Sequence, residues 1–165
     1  TRNPNILSGG VQVVDGDSLV VDGEKVRLKG IDAPEFDQVC QMNGQDWECG
    51  RRSRAALKVL VQKGNVVCRA GSIDRYDRWL ATCEVGGVEI NRALVESGWA
   101  VDYGGYADAE RQARAGDRGI WAGTFEPPQD WRRAHQGDAA SGGTLKGVTA
   151  DFWGKVRGLW YRLFS

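Results

Sequence analysis

Val11-Gln12-Val13-Val14-Asp15-Gly16-Asp17-Ser18-Leu19-Val20-Val21-Asp22-Gly23-Glu24-Lys25-Val26-Arg27-Leu28 contains three short aliphatic runs, at 11–14, 18–21 and 25–28, separated by two Asp-Gly signals. Branched side chains suit a half-buried pleated surface, and Asp-Gly accepts the backbone of a tight hairpin turn. The stretch therefore predicts a meander of three short antiparallel strands. In its third strand Val26 and Leu28 share one face and Arg27 projects from the other, because side chains alternate along a strand.

Beyond the meander, residues 36–50 form a polar, cysteine-bearing loop. From Arg51 to Lys63, Leu57, Leu60 and Val61 fall at helical spacing, with Gly64 as a stop. Strands are predicted at 65–70 and 79–85, and Gly86-Gly87 turns the chain into a short strand at 88–90. Asn91 is a candidate N-cap for a helix at 92–97 ended by Gly98, with Ile90 and Val95 as a hydrophobic staple. A further helix is expected at 107–115 before Gly116. Strands, helix, strands, then helices predict an α+β domain: a curled antiparallel sheet of five strands or slightly more, with about three helices.

The domain is expected to occupy residues 1–135, followed by a linker of Gly, Ser and Ala composition at 136–147. Residues 148–165 read as a C-terminal amphipathic helix. On its wheel Phe152, Trp153, Val156, Leu159, Trp160, Leu163 and Phe164 share one face, and Asp151, Lys155, Arg157 and Arg162 the other. Three uses fit it: a membrane interface, its own domain, or a second protomer.

The 165 residues are 41% hydrophobic, enough for one domain with a real core. Lys and Arg number 22 and so do Asp and Glu, so no global basic field draws nucleic acid and any affinity for phosphate is local. No apolar run of membrane-spanning length occurs. A start at Thr1 reads as a processed or trimmed product. Cys40, Cys49, Cys68 and Cys83 include no CxxC pair, and His135 is the only histidine, which argues against zinc. If 74–77 is the turn between two antiparallel strands, Cys68 and Cys83 face each other across it, within reach of a bridge. Cys40 and Cys49 would close a short loop. Buried free thiols are the alternative; two disulfides imply an oxidising, extracytoplasmic location, periplasmic or secreted.

The chemistry-bearing residues cluster in Asp15-Gly16-Asp17, Arg27 to Glu35, and Asp74-Arg75-Tyr76-Asp77-Arg78. Asp15 and Asp17 alone read as a turn. Asp32, at the end of the third strand, could be brought against Asp17, and hard carboxylate oxygens suit Ca²⁺. Arg27 and Arg78 alone are solvated strand charges, and Glu35 a loop carboxylate. Two guanidiniums converging on one phosphate would make charge-assisted bonds that strengthen as negative charge develops. Tyr103 and Tyr106 are candidates for base stacking or for packing; Trp99, Trp121 and Trp131 are assigned to packing, and His135 to the surface.

In order and spacing these residues resemble the staphylococcal nuclease (thermonuclease) family from about Val11 to Trp131, including Asn91-Arg92-Ala93-Leu94-Val95, Gly98-Trp99-Ala100 and Gly119-Ile120-Trp121. The resemblance implies an OB-fold, a five-stranded barrel with a helix after the third strand. It implies a Ca²⁺-dependent phosphodiesterase cutting DNA and RNA with little sequence preference and leaving 3′-phosphate ends. Asp17 and Asp32 would be direct metal ligands, with the Ala33 carbonyl helping and Asp15 in support. Glu35 would orient or deprotonate the attacking water, and Arg27 and Arg78 would stabilise the transition state. Arg75 and Tyr76 would contact a terminal phosphate. Asp77 stands where the family commonly has glycine, which adds a negative charge near that phosphate. Expected partners are single-stranded DNA and RNA, with double-stranded DNA a further candidate. The alternative is a weakly active or inactive binding module at an envelope or partner surface.

Overall fold

The computed structural model describes residues 5–140. Its elements, in chain order, are β1 (Ile6–Ser8), β2 (Val11–Asp15), β3 (Ser18–Val21), β4 (Glu24–Leu28), β5 (Ile31–Asp32), β6 (Cys40–Met42), β7 (Gln45–Trp47), α1 (Cys49–Val61), β8 (Val66–Ile73), β9 (Trp79–Val85), β10 (Val88–Glu89), α2 (Ile90–Glu96), β11 (Val101–Asp102), α3 (Ala107–Ala115), a 3₁₀ turn (Gly119–Ala122) and α4 (Pro128–Ala140). A compact unit runs to Ala134; a second begins at His135, and its described part is the end of α4. The first residues of the segment read as linker are thus helical, and the C-terminal helix expected at 148–165 lies outside the described residues.

The architecture is α+β, an OB-like curled sheet covered by helices. The meander forms as its alternation predicts, with Leu19 opposite Val26 and Ser18 opposite Arg27 across β3 and β4. The main sheet is larger than five strands: its order is β1-β8-β9-β4-β3-β2, with β10 added on β9. β4 and β9 are parallel, Arg27 lying beside Leu80, and this pairing joins the meander to the β8–β9 hairpin. The polar loop is itself a hairpin, β6–β7, tied to residue 124 by a bridge from Gln41. β5 pairs with β11 in a separate ribbon.

Leu19, Val21, Val26, Leu28, Leu57, Val66, Val85, Ile90, Leu94 and Val95 are buried in one core. Each such aliphatic side chain contributes about 1.5–3 kcal/mol by leaving water. A smaller cluster gathers Cys40, Cys49 and Ile120 with Trp47, Trp121 and Phe125. Both disulfides form, Cys68–Cys83 across β8 and β9 and Cys40–Cys49 from the hairpin to the start of α1.

Asn91 departs from its expected role. α2 begins two residues earlier, with Glu89 at the N-cap position, and Asn91 turns inward, fully buried. Its Oδ1 accepts the Cys83 N–H at 3.0 Å, and its Nδ2 donates to the carbonyls of Lys29 at 2.9 Å and Ala81 at 3.1 Å. One amide thus satisfies backbone groups of β9 and of the turn after β4. Asn91→Ala leaves buried polar groups unpaired, so a loss of roughly 2–4 kcal/mol in a denaturant melt is expected, more than one typical hydrogen bond. An unchanged midpoint would deny this role.

Candidate active site

The site forms where the β2–β3 turn, β4, β5 and the loop after β5 meet. Asp17 follows the bulge in β2 and is almost wholly buried. Its Oδ1 accepts the Ser18 hydroxyl at 3.0 Å and the Arg27 guanidinium, and its Oδ2 accepts the Ala33 N–H at 2.8 Å. Arg27 reaches it because Ser18 and Arg27 are cross-strand partners. The other arm of that guanidinium donates to Asp32 Oδ1 at 2.8 Å, so Arg27 bridges the two buried aspartates. The predicted approach of Asp32 to Asp17 is therefore present, with an arginine between them.

Glu35 sits on a loop fixed by Gln38, a fully buried residue that motif reading passes over. Gln38 Oε1 accepts the Glu35 N–H at 3.2 Å, its own N–H donates to the Glu35 carbonyl at 2.8 Å, and its Nε2 donates to the Glu126 carbonyl at 2.7 Å. α1 packs directly beneath: a Cβ at Gly50 would overlap the Glu35 carbonyl oxygen, so the helix start requires glycine there.

The other residue missed is Arg132. From α4 it donates Nη1 and Nη2 to the two oxygens of Asp32, at 2.8 and 3.0 Å, and Nη1 also to Glu35 Oε1 at 2.8 Å. Pro127-Pro128 signals the helix start in the sequence, since proline is pre-organised for the first helical position. Nothing local signals that this arginine meets carboxylates 100 and 97 residues earlier.

Arg78 stands just before β9, whose Trp79 lies beside Val26. Its guanidinium is engaged by Asp74 through Nε at 2.9 Å and Nη2 at 2.8 Å. The described contacts do not bring it onto the acids. Burial disfavours the Asp74 anion, but the hydrogen bonds from the Arg78 side chain and from the Arg78 and Tyr76 amides outweigh it and hold the carboxyl below its ordinary value. Arg75 and Arg78 lie over the exposed ring of Tyr76, 4.7 and 5.2 Å from its centroid. Asp77 takes a left-handed φ of 60° in this turn, a conformation that aspartate tolerates. Tyr103 is exposed. Tyr106 is instead half-buried, its hydroxyl donating to Glu89 at 2.6 Å, and burial with that carboxylate pushes its pKa well up, which marks packing rather than stacking.

Electrostatically the acids are strained. Burial pushes Asp17 above the usual carboxylate range; Arg27 and the Ala33 N–H oppose this, and Asp32 adds to it. Burial also pushes Asp15 up to about 6 against the hydrogen bond from the Gly16 N–H, so Asp15 gains its full charge only in neutral solution. A divalent cation fits this demand. The donors are all hard oxygens, and a carboxylate offers about four acceptor positions. One position remains on Oδ2 of Asp17 and one on Oδ2 of Asp32. Among the described residues no three acidic, histidine or cysteine side chains converge as a metal cluster, so two carboxylates, backbone carbonyl and water would complete the set.

Comparison with known proteins gives the family. A model of the staphylococcal nuclease homologue family matches residues 25–123. The chain is 40% identical over 123 residues to the succinoglycan biosynthesis protein ExoI of Rhizobium meliloti (strain 1021), covering 70% of this chain and 64% of that protein. It is 35% identical over 136 residues to an uncharacterized endonuclease of Haemophilus influenzae, covering 74% and 71%. It is 31% identical over 124 residues to CAN2, a probable staphylococcal-like nuclease of Oryza sativa subsp. japonica, covering 71% and 31%. The chain thus spans less than two thirds of ExoI and under a third of the rice protein.

Proposed function

The chain belongs to the staphylococcal nuclease family, and from that premise we propose that it is a Ca²⁺-dependent nuclease hydrolysing DNA and RNA with little sequence preference. The observation that carries this reading is the buried pair Asp17 and Asp32 bridged by Arg27, with Glu35 beside it through a shared arginine. Asp17 and Asp32 would hold the cation, supported by Asp15 and Ala33. When bound, calcium supplies Lewis-acid stabilisation of charge on the phosphate.

Glu35 orients a water and accepts its proton as the water oxygen bonds to phosphorus. The bond from phosphorus to the 5′-oxygen breaks, that oxygen takes a proton from solvent water to leave as a hydroxyl, and the 3′-phosphate remains. Arg27, and Arg78 through the Nη1 that Asp74 does not engage, stabilise charge on the phosphate oxygens. Arg75 and Tyr76 bind a terminal phosphate. Single-stranded DNA and RNA are the proposed substrates, and sequence preference is low because the proposed contacts are to phosphate. Two disulfides favour action in an oxidising compartment. No helix among the described residues is long and apolar enough to cross a membrane.

A second reading, a binding module without turnover, is favoured by one observation: protein donors, guanidiniums on both carboxylates among them, already fill all but one acceptor position on each of Asp17 and Asp32. Digestion of single-stranded DNA and RNA with Ca²⁺, with Mg²⁺ and with chelator separates the two. The expected result is calcium-dependent cleavage, reduced at least about 10²-fold in Glu35→Gln and in Arg78→Ala. A folded wild type that binds but never cuts would establish the binding module.

A further inference from the structure

Resting on the nuclease reading, we propose that Arg132 is a positioning residue of the same site, which clamps the Glu35 carboxylate against Asp32. Glu35 is only partly buried, and a glutamate side chain left to itself samples several rotamers. Among the described residues Arg132 is the cation that meets it. A single nitrogen, Nη1, lies 2.8 Å from both Glu35 Oε1 and Asp32 Oδ1, while Nη2 completes a two-pronged grip on Asp32 at 3.0 Å. The planar guanidinium makes that grip directional, which an ammonium cannot do.

The backbone prepares the same contact. Gln38 donates to the carbonyl of Glu126, just before α4, and accepts the N–H of Glu35. One buried amide therefore ties together the loop that carries the carboxylate and the entry to the helix that carries the guanidinium. Pro128, buried at the first position of α4, fixes the direction in which the helix leaves that tie. Arg132 lies beyond residue 123, where the family match ends.

The charge count gives the clamp a second effect. Asp15, Asp17, Asp32 and Glu35 bring up to four negative charges, and Arg27 and Arg132 return two. Arg132 shares Asp32 with the proposed cation, so its removal strengthens cation binding while it releases Glu35.

The test compares wild type, Arg132→Met, Arg132→Lys, Glu35→Gln and the double variant Glu35→Gln/Arg132→Met on single-stranded DNA. Arg132→Met is expected to lose roughly 100-fold in kcat with KM little changed, the cost of a misplaced group. Arg132→Lys keeps the charge without the fork and is expected to lose nearly as much. The double variant is expected to be no slower than Glu35→Gln, because Arg132 acts through Glu35. Wild-type kcat in Arg132→Met, or losses that multiply in the double variant, would overturn the proposal. Calorimetric titration with CaCl₂ is independent of turnover: Arg132→Met is expected to bind several-fold more tightly, and unchanged affinity also overturns it. If wild type cuts no nucleic acid the nuclease reading falls by itself, and the titration alone then decides whether Arg132 belongs to the site.

Discussion

Arg27→Ala is expected to lower kcat by about 10²–10³-fold and to cost roughly 3–5 kcal/mol of folding stability in the absence of calcium. The two effects have one origin. Asp17 and Asp32 are nearly inaccessible, and the Arg27 guanidinium donates to both. Asp32 retains Arg132 when Arg27 is removed, but Asp17 keeps only the Ser18 hydroxyl and the Ala33 N–H. A buried carboxylate already pushed toward protonation by desolvation then loses its cationic partner. Because a ligand that binds only the folded state adds to stability, millimolar Ca²⁺ is expected to restore part of the loss. Denaturant melts with calcium and with chelator, read beside initial cleavage rates, measure all three quantities. Equal stability of the variant and the wild type in chelator would show that Arg27 does not compensate the pair.

Replacing Cys68 and Cys83 together by alanine is expected to cost about 2–5 kcal/mol. The two residues are registered partners on adjacent strands, fully buried, and their bond closes a segment with a sequence separation of 15. Without it the unfolded chain regains conformational freedom, for which the chain-entropy account gives about 3 kcal/mol, and two small cavities open in the main core. Wild type melted in excess reductant, which also opens Cys40–Cys49, should fall to the level of the double variant or below it. A midpoint unmoved by either change would mean that the sheet alone carries the stability.

How legible the molecule is from its sequence follows the distance over which each feature is decided. The meander is read from alternation and Asp-Gly turns, and the Cys68–Cys83 pair from counting outward from residues 74–77. The turn is one residue longer than that count assumes, with Ile73 opposite Trp79, and the register shift between Ala70 and Ile73 restores the counted pairing before it reaches the cysteines. The parallel contact of β4 with β9 has no local signal. Asn91 sits where a cap would, and only the position of Lys29 and Cys83 around it makes it a bracket for the sheet. The approach of Arg27 to Asp17 follows from the pairing of β3 with β4, whereas Asp32 lies on β5, whose strand partner is β11. Arg78 was legible as a residue type, but its partner Asp74 is the contact the structure supplies. Gln38 and Arg132 act through partners far along the chain, and pattern alone could not single them out.

The distance between Arg132 and its partners also sets an order in time. A chain made from its N-terminus offers Asp17, Arg27, Asp32 and Glu35 to the nascent fold about a hundred residues before Arg132 exists. The local hairpins can form early, whereas pairings that close long loops come late. The acidic cluster is therefore expected to assemble with a single guanidinium first and to receive its second when α4 docks. Recovery of cleavage during refolding should accordingly lag behind recovery of sheet structure, and the length of that lag would time the arrival of the last helix.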